Sequence, residues 1–110
     1  MDDAADPILA TELTPTTRGT WLVTTDTSCH VWDLDNMTYQ RLPGSRAPLL
    51  RFDQQMLAIT RVECWPKVGQ QSLIYYDDPN APWLVEQWRL SATTIRIELL
   101  EDQAESQADV

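Results

Sequence analysis

Hydrophobic and polar residues alternate with a period of two near the end of the chain. Residues 93–99 place three aliphatic side chains on one face and three polar side chains on the other. This alternation is typical of a strand with one buried face. Residues 84–90 are also rich in strand-forming side chains, and only residues 91–92 separate the two runs. The pattern therefore predicts a hairpin.

A second group of strand-like runs lies in the first half of the chain. The runs are separated by short turn sequences and cover residues 20–25, 30–34 and 37–42. In the second run, His30, Trp32 and Leu34 share one face. Asp35-Asn36 favours a turn, and Pro43-Gly44 is typical of a type II turn with the glycine in the left-handed region. Residues 20–42 are therefore predicted to form a three-stranded meander.

The middle of the chain allows two interpretations. Residues 56–65 alternate as a strand would, and the set that contains Met56, Val62 and Cys64 is the more apolar one. Residues 53–60 also contain good helix formers, which leaves a short helix open as an alternative. A further strand is predicted at 72–76, followed by a proline-rich loop.

Together these runs predict an all-β, mainly antiparallel fold. The spacing favours a small barrel or roll of about six to seven strands, with one short helix near 53–60 as the alternative for that segment. A chain of 110 residues has the length of one domain.

The charge is concentrated at the two ends of the chain. The formal net charge is −9, of which residues 1–15 and 101–110 each contribute −4 and residues 16–100 only −1. We therefore expect an acidic N-terminal extension (1–15), a single β domain (16–100) and an acidic disordered tail (101–110). Ile8, Leu9 and Leu13 allow part of the extension to dock on the domain.

Targeting signals are not apparent in the sequence. The N-terminus is acidic where a secretory signal is basic, and no apolar run is long enough for a membrane span. We expect a cytoplasmic protein, with Cys29 and Cys64 reduced and acting as small core residues.

Catalytic motifs are weak in this chain. The tetrad at 75–78, Tyr-Tyr-Asp-Asp, matches the metal-holding Tyr-x-Asp-Asp of reverse transcriptases over four residues only, and a strand ending in an Asx-rich turn explains it more simply. Cys29 and His30 are adjacent, so on a strand they point to opposite faces and cannot form a dyad. One histidine and two cysteines do not supply a zinc site. We predict no catalytic residue, metal or cofactor, and a protein that is not an enzyme.

Five tryptophans are many for a body of this size. Trp32 and Trp88 have apolar neighbours on the same face and are predicted in the core. Trp65 and Trp83 lie at element ends, where a ring either caps the core or anchors a partner. The predicted partner-binding residues are Trp65, Trp83, Tyr76, Asp77 and Asp78.

One resemblance covers residues 20–100. The runs that carry it are Trp-Leu-Val-Thr-Thr at 21–25, Val-Trp-Asp-Leu-Asp at 31–35, Arg-Leu-Pro-Gly at 41–44 and Thr-Thr-Ile-Arg-Ile-Glu at 93–98. In these runs the chain resembles a family of small proteins from actinobacteria and their phages. The resemblance implies a phage or prophage accessory protein that acts in the host cytoplasm, and it supplies no site residue.

The sequence therefore favours a non-enzymatic protein–protein interaction module that binds a host or phage protein, with a homodimer through an edge strand as one form. The alternative is an acidic nucleic-acid mimic that inhibits a DNA-binding protein. The eight basic residues are dispersed among acids, so nucleic acid is not expected as a partner.

Overall fold

The computed structural model describes residues 6–101, and the regular structure within that range is all β-strand. The strands are β1 (Leu9–Ala10), β2 (Thr20–Thr25), β3 (Ser28–Asp33), β4 (Thr38–Pro43), β5 (Leu57–Cys64), β6 (Leu73–Asp77), β7 (Glu86–Leu90) and β8 (Thr94–Glu101). They form one sheet in the order β1-β8-β2-β3-β4-β5-β6-β7, and all neighbouring pairs are antiparallel. The predicted all-β antiparallel class is confirmed. β1 and β7 lie at opposite edges without pairing, so the described strands do not close into a barrel.

The predicted meander is present as β2, β3 and β4. Val23 lies opposite His30, and Trp32 lies opposite Tyr39. Burial alternates along β2 and β3, so one face of both strands enters the core. Local alternation and short turns are sufficient to specify this unit, because each strand pairs with the next one in sequence.

The turn after β4 differs from the predicted type II turn. Gly44 does not have a positive φ, unlike Gly19 and Gly69. A glycine is needed there for a different reason: a Cβ on Gly44 would lie 2.5 Å from the carbonyl oxygen of Thr27. The N–H of Gly44 donates to that same oxygen at 3.0 Å. Close approach of two backbones, rather than backbone rotation, therefore selects glycine at this position.

The predicted hairpin of residues 84–90 and 93–99 is wrong. β7 pairs with β6, and β8 pairs with β2 and β1. Thr94 N donates to Gln70 O, and Gly69 N donates to Thr94 O, which directs β8 away from β7. Residues 91–93 therefore form a crossover between the two halves of the sheet.

The short helix near 53–60 is also wrong, since the described residues contain none. Residues 51–55 are turns in which Phe52 and Gln54 have φ of 65° and 66°, outside the right-handed helical region. β5 then begins at Leu57, with Leu57 and Ile59 buried. At the start of β5, the alternate set of residues that contains Met56 is therefore exposed, although it is the more apolar of the two sets.

A β-bulge in β5 explains why the apolar pattern is misleading. The register shifts between Ile59, opposite Tyr76, and Arg61, opposite Tyr75. One extra residue in a strand reverses which alternate set faces the core. Val62 therefore packs against the core beyond the bulge, although it belongs to the other set.

The N-terminal segment is partly docked on the sheet. β1 pairs with β8, and Leu13 is only 1% exposed. Leu13 N donates to Pro66 O, so this segment also holds the connection after β5. Residues 9–13 thus contribute to the fold, while the predicted acidic tail lies outside the described residues from 102 onward. None of the described residues belongs to a helix that could cross a membrane.

Candidate functional site

Three polar side chains form a buried chain on the inner face of β3 and β4. His30 lies between them: its Nε2 is 2.9 Å from Ser28 Oγ, and its Nδ1 is 2.6 Å from Tyr39 OH. Ser28 and His30 share a face because they are two residues apart on β3, and Tyr39 comes from the paired strand. Both ring nitrogens of His30 therefore have a hydrogen-bond partner.

Burial keeps this group of side chains neutral. It lowers the pKa of His30 to about 4, with further lowering by Arg41 and Arg89 and a smaller opposing effect of Asp53. It also raises the pKa of Tyr39 to about 12, against the opposing effect of Arg89 and Arg41. At neutral pH the imidazole and the phenol are both uncharged, so the local charge comes from the arginines and Asp53.

Arg41 is buried and paired with a carboxylate. Its Nη1 donates to Asp53 Oδ2 at 2.7 Å and to Pro48 O at 3.2 Å. Asp53 Oδ2 also accepts from Leu50 N at 2.8 Å. The ion pair therefore ties the loop between β4 and β5 back onto β4.

Arg89 is buried without a carboxylate partner. It is 8% exposed, its Nη2 donates to Arg51 O at 2.7 Å, and no ion pair involves it among the described residues. Its guanidinium lies 5.5 Å and 5.8 Å from the ring centroids of Tyr76 and Tyr39. The charge of the guanidinium and a side-chain hydrogen bond with Tyr39 both act to lower the pKa of that phenol. Nη1 of Arg89 is buried without a hydrogen-bond partner among the described residues.

A cavity of about 180 Å³ lies beside these two arginines. Ser28, His30, Arg41, Arg89 and Ser91 supply most of its polar wall, and no acidic residue of the described part of the chain lines it. Its apolar wall comes from residues 48, 50, 90 and 92. Because residues 50 and 90 are each about half exposed, the cavity opens to solvent. Its size and polarity suit a small molecule with one negatively charged end.

His30 gives the protein a predicted pH dependence of stability. An unfolded histidine has a pKa near 6.5, whereas the folded value is about 4. As the pH falls below 6.5, the unfolded chain binds the proton first, so the free energy of unfolding decreases and levels off below pH 4. The full effect is roughly 3 kcal/mol.

Urea unfolding at pH 7.0, 5.5 and 4.5 measures this effect. The control is His30→Gln, which keeps a hydrogen-bonding side chain and removes the only imidazole of the chain. The slope between pH 6.5 and 4.5 should largely disappear in the variant. Equal slopes in the two proteins would show that His30 is not the responsible group.

A second candidate surface lies on the outer side of β7, which is an edge strand. Trp88 and Leu90 are 63% and 52% exposed, while Arg89 between them points inward. Glu86 completes the outward set. We call these three residues the β7 edge. Trp88 lies opposite Tyr75 of β6, whose ring carries the guanidinium of Arg61 at 3.6 Å.

The predicted partner-binding residues do not form one surface. Trp83 is 80% exposed and lies in the loop before β7. Trp65 is half-buried and packs on Trp32, with ring centroids 6.1 Å apart. Tyr76 is in the core beside Phe52. The structure thus makes Trp83 alone of these three freely accessible.

The two predicted aspartates have structural surroundings. Asp77 is half-buried at the end of β6. Asp78 accepts from Asn80 N at 2.8 Å and Gln87 Nε2 at 3.0 Å, and these hydrogen bonds lower its pKa below the ordinary value. Within residues 6–101, no group of three His, Cys, Asp or Glu side chains could hold a metal ion. The hydrogen bonds of Asp78 therefore stabilise the loop between β6 and β7.

Two expectations for tryptophan and cysteine are wrong. Trp88, predicted in the core, is exposed because β7 is an edge strand with its outer face uncovered. Cys64, predicted as a core residue, is exposed at the end of β5, while Cys29 is half-buried; both thiols are free. Cys29 and His30 do point to opposite faces, as predicted.

Sequence reasoning did not place Arg41, Arg89 and Asp53 in a common site. Alternation contained a signal for Arg41, since it shares a face with Tyr39 on the same strand. The alternation was a weaker signal for Arg89, which lies between two apolar residues of β7. Asp53 reaches the site only through the loop between β4 and β5, so no local pattern identifies it.

Comparisons with known proteins give no relative. No protein-family model, curated protein or solved structure matches this chain. The candidate sites therefore have to be judged on their own geometry.

Proposed function

We propose that this protein is a non-enzymatic binding module that captures an extended segment of another protein along the β7 edge. The observation that carries the proposal is an uncovered edge strand with large apolar side chains on it. An extended peptide adds to such an edge through backbone hydrogen bonds, and side chains on alternate positions supply specificity.

The hydrogen-bond phase of β7 supports this mode of binding. Asp78 N donates to Val85 O, and Ser91 N donates to Ser72 O. In an antiparallel pair, bonded and non-bonded residues alternate, so residues 85, 87, 89 and 91 face β6 with their backbone groups. The N–H and C=O groups of Glu86, Trp88 and Leu90 consequently point away from the sheet, where a further strand would lie.

The side chains of the same residues favour an apolar partner segment. Trp88 and Leu90 offer a large apolar area, and exposed aromatic residues of this kind dominate many protein interfaces. Glu86 is held by Arg61 at 3.5 Å, so the charged end of the edge is already paired. The expected segment therefore places an apolar side chain over Trp88 and another over Leu90.

Two further observations support a protein-binding function rather than an enzyme or a nucleic-acid mimic. A histidine with a pKa of about 4 is a weak general base at neutral pH, which disfavours nucleophile activation at Ser28. Asp53 and Asp78 serve internal contacts, and the exposed Glu63 and Glu86 both lie beside Arg61, whereas a nucleic-acid mimic needs unpaired carboxylates along one outer face. On the resemblance to phage proteins, the partner is a host or phage protein in the cytoplasm.

Site-specific photocrosslinking in the producing cell tests the proposal. The photoreactive amino acid p-benzoylphenylalanine replaces Trp88 in one variant and Leu49 in the control, because Leu49 is 82% exposed but lies outside β7. We expect one dominant protein adduct from position 88 that is absent from position 49. An adduct of the chain with itself identifies the partner strand as a second copy. Absence of an adduct at position 88, or equal adducts at both positions, contradicts the proposal.

The affinity for the crosslinked partner supplies the second readout. Trp88→Lys should weaken binding about 30-fold, as expected for an interface residue that contributes about 2 kcal/mol, and Leu49→Lys should leave it unchanged. Lysine on an edge strand is compatible with folding and opposes strand addition. Equal affinities of the two variants would exclude the β7 edge as the binding surface.

A further inference from the structure

We propose that the cavity beside Arg41 and Arg89 is a binding site for the carboxylate group of a small aliphatic acid. The site differs from the β7 edge in its polar wall, which comes mainly from the inner faces of β3 and β4 and from the inward-pointing Arg89, although Leu90 of the β7 edge also borders the cavity. The proposed ligand is additional to the protein segment that binds the β7 edge, and it does not account for that binding.

The charge of the buried cluster is the first argument. Arg41 is neutralised by Asp53 at 2.7 Å, while Arg89 has no carboxylate partner among the described residues. The cluster therefore carries one uncompensated positive charge. A buried charge without a counter-ion is strongly unfavourable, so an anion in the adjoining cavity stabilises the folded protein.

The unpaired groups of Arg89 are the second argument. The side chain is more than nine-tenths buried, borders the cavity and leaves Nη1 without a hydrogen-bond partner. Guanidinium groups bind carboxylates through two parallel hydrogen bonds, which water alone does not reproduce. Ser28 and Ser91 also line the cavity, but their hydroxyl groups are hydrogen-bonded within the protein, so Arg89 supplies the unpaired donor.

Charge balance and size select the class of anion. One carboxylate matches the single excess charge, whereas a phosphate dianion would leave the site negative. The volume of about 180 Å³ is smaller than the ~300–1,000 Å³ of pockets for drug-sized ligands. The apolar wall, which suits a short alkyl group, is formed by Pro48, Leu50, Leu90 and Ala92. The carboxylate could come from a free acid or from the C-terminus of a peptide.

Thermal unfolding of the full chain with sodium butyrate tests the site, with sodium chloride at equal ionic strength as reference. At about five times its dissociation constant, butyrate should raise the midpoint by about 4–8 °C. Arg89→Met should abolish this shift and raise the midpoint without butyrate, because the buried charge is removed. Arg96→Met, on the exposed side of β8, should keep the shift.

A second variant tests whether loss of the shift reflects a folding defect, and peptide ligands distinguish the two sources of the carboxylate. Leu50→Trp fills the mouth of the cavity from a half-exposed position, and it should also abolish the shift. A peptide that binds with a free C-terminus but not with an amidated one identifies a chain terminus as the source, and butyrate binding alone identifies a free acid. Binding of inorganic phosphate more tightly than butyrate, or no shift with either carboxylate, overturns the proposal.

Discussion

Trp32→Ala is expected to remove about 3–5 kcal/mol of the free energy of unfolding, which is a large part of the stability of a domain of this size. Trp32 is 1% exposed near the C-terminal end of β3. Its ring meets the Tyr39 ring edge-on at 5.7 Å and packs against Trp65 at 6.1 Å. Truncation leaves a cavity beside Tyr39 and Trp65, because hydrogen-bonded strands cannot move closer together to fill it.

Urea unfolding followed by circular dichroism measures the loss. The matched control is Trp83→Ala, which removes the same atoms from an 80% exposed position and should change stability by less than about 0.5 kcal/mol. Similar losses in the two variants would mean that the β3 face is not the principal core. The pair of substitutions separates burial from residue type.

Asp53→Asn is expected to cost about 3–5 kcal/mol, as large an effect as the core truncation. The substitution keeps the shape of the side chain and removes the only carboxylate of residues 6–101 that is paired with Arg41. Arg41 and Arg89 would then be two buried positive charges without compensation. The loop between β4 and β5 would also lose its charged acceptor for Leu50 N.

The control is Glu86→Gln, which breaks the exposed ion pair with Arg61. Because solvent screens that pair, its loss should cost at most about 1 kcal/mol in urea unfolding. The double variant Arg41→Met with Asp53→Leu should recover much of the stability lost in Asp53→Asn, since no unpaired charge is added. A small effect of Asp53→Asn, equal to that of Glu86→Gln, would contradict the buried cluster described above.

The meander of β2, β3 and β4 could be predicted because its information is local. Alternation places His30, Trp32 and Leu34 on one face, and all three are buried. The intervening turns are short, so each strand has its sequence neighbour as its partner. Residues 73–77 follow the same rule with alternating burial.

The errors arise where partners are distant along the chain. A short connection at 91–92 predicts a hairpin, but β8 pairs with β2, which is distant along the chain. Trp88 then becomes exposed, because the strand that carries it is left at an edge. The bulge after Ile59 likewise depends on the pairing of β5 with β6, so the alternation within β5 alone assigns its face wrongly.

The sequence by itself determined the class of fold, the meander and the separation of a nearly neutral body from acidic ends, because residue alternation, turn chemistry and charge are properties of short segments. Tertiary structure alone decided which strand forms the free edge and which charges share the buried cluster. Arg41, Asp53 and Arg89 lie on β4, a loop and β7, and only the packing of these elements brings their charges together. Electrostatic balance in the interior depends on distance in space, which no local pattern records.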